Sequence, residues 1–362
     1  MTDTVLSHAN GAAPPESAKT MNPTTAPAAV ASQQLQQESL SPFNTPISIS
    51  TSTSTPSPSA SASASASASA SSTSTTPAST TSNNPPLSAV IAQCHHRVHS
   101  FLAESHPGNS LLAAVQRQTR ISLDVIATAL TRYNPLTELS LSYNGGKDCL
   151  VLLILFLAGL HPHLASLEQE KSNSNNGEGN TGTGNGNGDE ILPSIPSIYA
   201  LPPDPFPLVE EFVQWSSRAY HLSIQKYTTH PPHATLRSSF QDYLSRNPLI
   251  KAIFVGTRRT DPHGAKLTHF DRTDSGWPDF VRVHPVIDWH YAEIWAFIRH
   301  LDLKYCPLYD QGYTSLGGTG DTHPNPMLRV GAEKKEDQQG SSGQYRPAYE
   351  LTEDLEERLG RQ

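Results

Sequence analysis

Apolar and polar positions follow two periods along this chain, one near 3.6 residues and one near 2. Val90, Cys94, Val98 and Phe101 share one stripe between Leu87 and Glu104 and predict a helix. Leu112, Val115, Leu123, Ile126 and Leu130 predict a second, which Pro135 ends. From Glu138 the period shortens, with Leu139 and Leu141 alternating with Ser140 and Ser142, as in a short strand. Gly145 and Gly146 interrupt it, and Leu150 to Leu160 then runs almost unbroken in apolar residues. That run predicts a buried helix too short to cross a bilayer. Further strands are predicted at Ser197–Leu201, His221–Tyr227, Leu249–Val255 and Val283–Ile287. Helical stripes lie between them at Leu208, Phe212, Trp215 and Ala219, and at Leu236, Phe240 and Leu244. A last helix, capped by Asp288, carries Ile294, Phe297, Ile298 and Leu301, with Trp289 and Trp295 as packing residues. This alternation predicts an α/β fold: a mostly parallel twisted sheet with helices on both faces. The loops after Leu141, Ala200 and Val255 would then meet at one rim, where such sheets bind ligands.

Composition sets the limits of that domain. Residues 1–86 are rich in Ser, Thr, Ala and Pro, with a Ser-Ala repeat ending at Ala70, and hold too few large apolar residues to offset the entropy of ordering them. They are expected to form a disordered tail, without the pattern of a signal peptide. Residues 168–190 are Asn- and Gly-rich and are expected to form a flexible insertion. The catalytic-sized domain is therefore 87–331, followed by an extension, 332–362, whose start at Gly331 to Gly343 is polar and expected to be mobile.

The net charge of −8 is unevenly placed: the tail carries −2, the insertion −4 and residues 332–362 −3, leaving 18 bases against 17 acids elsewhere. No basic field of the kind nucleic acids require is present, and no membrane partner is expected. Cys94, Cys149 and Cys306 give neither a disulfide framework nor paired zinc-ligand spacing, so a reducing, cytoplasmic setting is expected. His95 and His99 stand beside Cys94, but no further ligand is near in sequence, and a solvated or capping His pair is the simpler reading.

Three stretches carry candidate chemistry. Strand, glycine turn and helix at Leu139–Leu160 put free N–H groups and a helix N-terminus at one spot, which suits phosphate. Ser142, Asn144, Gly145, Gly146 and Lys147 form that spot, and Asp148 adds a carboxylate able to hold Mg2+. It is not a Walker A loop, because Leu141 and Asp148 occupy positions where that motif needs Gly and Ser or Thr. Gly256-Thr257-Arg258-Arg259-Thr260-Asp261-Pro262 follows a buried strand, where two arginines and an Asp suit a polyphosphate with its metal. In Asp274-Ser275-Gly276-Trp277 and Arg282, an aromatic among turn formers either stacks on a flat ring or plugs the loop onto the core.

Tyr143-Asn144-Gly145-Gly146-Lys147-Asp148-Cys149 resembles the pyrophosphate-binding loop of the PP-loop ATP pyrophosphatases, with Asn144 and Cys149 replacing the usual serines. That spelling is similar to the eukaryotic-type FAD synthetases (FMN adenylyltransferases), the branch related to PAPS reductases. The Arg258 loop resembles the family's Gly-x-Arg-x-x-Asp-Pro motif, the Trp277 stretch its flavin-binding segment, and Arg358 with Arg361 its C-terminal Arg-x-x-Arg. The resemblance implies an adenine nucleotide alpha-hydrolase-like fold and transfer of the adenylyl group of ATP to FMN, with Mg2+ bridging the ATP phosphates.

On that resemblance Asn144, Lys147, Asp148, Asp261, Arg358 and Arg361 carry the reaction, with Asp148 and Asp261 as metal ligands. Ser142 to Lys147, Ala200, Leu201, Gly256, Thr257 and Arg258 face ATP, and Asp274, Ser275, Gly276, Trp277, Arg282 and Arg361 face FMN. The stretch that carries Arg358 and Arg361 would otherwise read as an exposed helix pairing Glu with Arg. Cys149 is discounted as a nucleophile, since adenylyl transfer needs no covalent intermediate. The rivals are a PAPS reductase, which uses a cysteine near its C-terminus although none follows Cys306 here, and a flavin or nucleotide carrier without turnover.

Overall fold

The computed structural model describes residues 43–44, 84–175, 194–228, 235–331 and 344–362. The expected tail apart from Phe43 and Asn44, most of the Asn/Gly-rich run and residues 332–343 lie outside the described residues. In chain order the elements are α1 (Leu87–Ala103), α2 (Leu111–Arg132), β1 (Leu139–Ser142), α3 (Lys147–Asn175), β2 (Ile195–Leu201), α4 (Pro207–Ala219) and β3 (Leu222–Thr228). Then follow α5 (Leu236–Arg246), β4 (Ala252–Phe254), β5 (Phe270–Arg272), β6 (Val281–Val283) and α6 (Tyr291–His300), with short 3-10 turns beyond.

The sheet has six strands in the order β3-β2-β1-β4-β6-β5. Every pair is parallel except β5–β6. This is the expected mostly parallel α/β sheet. The antiparallel edge strand β5 was not expected; its Phe-Asp-Arg has one apolar residue and no readable period. The final strand also begins at Val281, earlier than the Val283–Ile287 expected.

Side-chain parity along the strands divides two cores. Leu139, Leu141, Tyr199, Ala252 and Phe254 face the larger one, which α1, α2, α3, α4 and α6 close. Ile198 and Ile253, one residue out of phase, face a smaller one with Phe240 and Tyr243 of α5 and Phe280. Ser140 faces the same way, its hydroxyl 2.6 Å from that of Tyr243.

The apolar run forms the centre of the large core, with Leu150 to Ala158 between 0% and 3% exposed. The helix does not stop near Leu160. It continues through Pro162, and Lys147–Ser166 is long and apolar enough to cross a membrane. Its apolar surface is covered by α1, α2 and α6, so packing within the protein, not shortness, explains its composition.

Two local expectations change. Asp288 does not cap α6; its carboxylate binds Arg259 Nε at 2.6 Å, and His290 is the cap, its N–H donating to Glu293 at 2.8 Å. Within the tail expected to be disordered, Phe43 is buried, with the Arg97 guanidinium 4.1 Å from its ring centre. Asn44 donates to Asp302 Oδ1 at 2.9 Å. Burying one aromatic side chain recovers roughly 1.5–3 kcal/mol, which offsets the entropy of fixing Phe43 itself.

Candidate active site

Parallel strands point their carboxyl ends one way, so the loops after β1, β2 and β4 meet at one rim as expected. Gly145 takes φ +74°, open to glycine at little cost, and a Cβ there would lie 2.8 Å from Val213 Cγ2 on α4. Asn144 Oδ1 accepts from Gly146 N–H at 2.9 Å, and the Tyr309 hydroxyl accepts from Lys147 N–H at 2.9 Å. Two of the amides expected to face a phosphate are thus already hydrogen-bonded within the chain. Gly256 allows the β4 loop to touch the first turn of α3: a Cβ would sit 3.0 Å from both the amide nitrogen and Sγ of Cys149.

That contact brings Arg258 beside Asp148. Arg258 is fully buried, with Nε 2.8 Å from Asp148 Oδ1 and Nη1 3.2 Å from Asp354 Oδ1. Its Nη2 pairs with Glu357 and lies 4.0 Å from Asp261 Oδ1, while its N–H donates to Asp261 Oδ2 at 2.8 Å. Lys147 is only 2% exposed. Its Nζ is 3.0 Å from Asp148 Oδ2, pairs with Glu357, and lies 5.1 Å from the Tyr291 ring centre. The resemblance set Lys147 among the residues that face ATP; here its ammonium points beneath the C-terminal segment. Burial opposes the charge on Lys147, but Asp148 and Glu357 outweigh it and raise the pKa. Burial likewise opposes ionisation of Asp148, and Lys147 and Arg258 hold it below the usual carboxylate range.

The C-terminal segment closes the site. It forms a short 3-10 turn at Asp354–Glu356 in place of the exposed helix that its Glu/Arg pattern suggested. Asp354 accepts from Tyr291 N–H at 2.6 Å and meets His290 Nδ1 at 2.5 Å. Arg361 lies across Gly317, donating to Leu316 O at 2.9 Å and Asp321 Oδ2 at 3.1 Å. Arg358 is exposed. Glu357 and Asp354 had no readable signal, since four acids among arginines fit any solvated surface.

Beside this network lies a cavity of about 220 Å³, lined by Asn144, Ala200, Leu201, Leu236, Leu316 and Gly317. Its wall includes the β2 end expected to face ATP and the glycine that Arg361 covers. Ser142 and Thr257 are half-buried at the same rim. The tryptophan segment leaves from the other ends of the strands, since β6 begins level with Ala252, and folds over the α5 face. Trp277 is 37% exposed and its ring centre is 6.5 Å from that of Phe240, one helical turn from Leu236 in the cavity wall. Asp274 is 3.7 Å from Arg282, and a Cβ on Gly276 would be 3.6 Å from the Arg237 guanidinium. Asp274, Ser275 and Gly276 are exposed, joined to the cavity by one face of α5 and not by direct contact with the glycine loop.

The cysteine and histidine candidates are structural. Burial, and then Asp148, push the Cys149 thiol up to about 12. His95 stacks on His161 with centres 4.3 Å apart, its Nδ1 3.0 Å from Ala158 O.

The profile of the phosphoadenosine phosphosulfate reductase domain matches residues 138–324. A probable FAD synthase of Schizosaccharomyces pombe is 35% identical over 271 residues, 75% of this chain and 88% of that one. The flavin adenine dinucleotide synthase of Saccharomyces cerevisiae is 31% identical over 246 residues, 67% and 77% respectively. Among solved structures, Candida glabrata FMN adenylyltransferase in complex with FAD and inorganic pyrophosphate superposes with a TM-score of 0.64 at 28% identity, covering 76% of this chain and 97% of that one. The same enzyme with FMN and the ATP analogue AMPCPP gives 0.65 at 28%, with the same coverage. With the glycine loop, the Arg258 loop and the sheet order all in place, the chain belongs to the eukaryotic FAD synthases, within the branch related to PAPS reductases.

Proposed function

We infer that this chain transfers the adenylyl group of ATP to the phosphate of FMN, giving FAD and pyrophosphate. The observation that carries this reading is the meeting of the Gly145–Gly146 turn, the Arg258 network and the β2-end cavity at one rim. The Schizosaccharomyces pombe and Candida glabrata relatives are named for FAD synthesis and FMN adenylyl transfer, and this chain covers 88% and 97% of their lengths.

The FMN phosphate is already an anion at neutral pH, so no catalytic base is required. The barrier is the approach of two anions, and the chain's part is to place them in line and offset their charge. Adenine fits the cavity at Ala200 and Leu201. The polyphosphate runs along the glycine turn towards Arg361, while Trp277, Asp274 and Arg282 offer the flavin a ring face and polar edges.

Lys147 and Arg258 stand against Asp148, Asp261, Asp354 and Glu357, two cations against four carboxylates, so this network brings no positive excess to two phosphate groups. A divalent cation therefore fits the site. Asp148 and Asp261 would hold Mg2+, which offsets phosphate charge when bound. The three cysteines are thiols, in keeping with a reducing compartment such as the cytoplasm.

Purified protein incubated with ATP, Mg2+ and FMN should yield FAD and pyrophosphate in equal amounts. Binding of FMN without turnover would identify a carrier instead. The reductase reading lacks a late cysteine: Cys306 is the last, and burial pushes its thiol up to about 12. Asp148→Ala and Asp261→Ala should each lower turnover by about 100-fold or more; near-normal rates would remove them from the site.

A further inference from the structure

The network that holds Lys147 and Arg258 reaches across the chain to one carboxylate. Glu357 is 5% exposed and bridges the Lys147 ammonium, on the first residue of α3, and the Arg258 guanidinium, after β4. Its own backbone is fixed independently: Thr314 Oγ1 donates to Glu357 O at 2.6 Å, and the buried Asn325 donates to Glu356 O at 2.7 Å. Beyond it, His323 N–H donates to Gly360 O at 2.8 Å, where a Cβ would sit 2.3 Å from His323 O, so the chain can reach Arg361 only through glycine at this point. Arg361 then covers Gly317 in the cavity wall.

We propose that Glu357 is a positioning residue: its carboxylate locks the C-terminal segment onto the glycine and Arg258 loops and so sets where Arg361 meets the nucleotide. The pinned backbone argues for a built-in strut, not a latch that swings away. Without this counter-ion the two buried cations keep only Asp148 in common, with Asp354 on Arg258 alone, and the segment carrying Arg361 loses the one carboxylate that, among the described residues, ties it to both loops. The kinetic arm of the test rests on the FAD synthesis reading; the exchange arm does not.

In Glu357→Gln, kcat/KM for FAD formation should fall about 100-fold, as a misplaced charge costs that much. Amide hydrogen exchange over residues 354–361 should quicken at least tenfold, with exchange in β1 and β4 unchanged. Thr314→Val, which removes the shorter of the two hydrogen bonds to the Glu357 carbonyl but keeps the carboxylate, should shift both readouts the same way by less; it serves alone if Glu357→Gln does not fold. Lost activity with native exchange in the segment would overturn the proposal, because Glu357 would then act on substrate directly. Native activity with either variant would overturn it as well. If the wild type makes no FAD, the functional reading fails, and the exchange measurement still decides the role of Glu357.

Discussion

Arg258→Lys keeps the charge of the site and removes only its geometry. The guanidinium faces Asp148 through Nε at 2.8 Å, Asp354 through Nη1 at 3.2 Å and Glu357 through Nη2. These carboxylates come from α3 and from two places in the C-terminal segment. A lysine ammonium is a point charge without the guanidinium fork and can serve one of them well, leaving two of the three carboxylates under-paired. Each lost charge-assisted bond is worth roughly 1.5–3 kcal/mol, and broken buried pairs cost about 3–5 kcal/mol in all. For a domain of this size about 2–4 °C follows each kcal/mol, so Tm should drop by about 6–20 °C. FAD formation, followed by flavin chromatography, should fall about 100-fold at a temperature where the variant is still folded. A Tm within 2 °C of wild type together with a rate within threefold would refute the reasoning, since Arg258 could then not be the hub it is drawn as.

Three further outcomes follow from the same geometry. Cys149→Ser should keep most activity, because a thiol pushed up to about 12 is no nucleophile at neutral pH; loss of turnover in a folded variant would restore Cys149 as a candidate. Gly145→Ala should cost about 1–3 kcal/mol and weaken ATP binding at least tenfold, through both its positive φ and the 2.8 Å approach to Val213, as denaturation and equilibrium binding will report. The Asp354 carboxylate raises the pKa of His290 against a small burial penalty. That pair therefore stabilises fully below the ordinary histidine value of about 6.5 and fades as pH rises through the raised value. The ring is 65% exposed, so solvent holds the effect to about 1 kcal/mol or less. His290→Gln should flatten the corresponding fall in Tm as pH rises above about 6.5, and an unchanged pH profile would remove the pair from the balance.

Apolar periodicity by itself determined the order of the helices and of every strand but β5, the mostly parallel sheet and the rim where the loops meet, because burial of each element depends on residues two to four positions apart. The Gly145–Gly146 turn and the Arg258–Asp261 loop stood out because each follows a predicted strand, but it was the resemblance to FAD synthetases, not the period, that gave them roles. Only the tertiary structure decided what the charged groups touch. Lys147 and Glu357 are 210 positions apart, and Arg258 and Asp354 are 96 apart. An acid in a run such as Glu353–Arg358 reads as solvated surface until the fold removes water from it. The same holds for Phe43, an ordinary residue in a polar tail until Arg97 and Leu303 give it a place to sit. Local pattern records which positions leave water; which charges then meet in the dry interior is settled by the chain's long-range path.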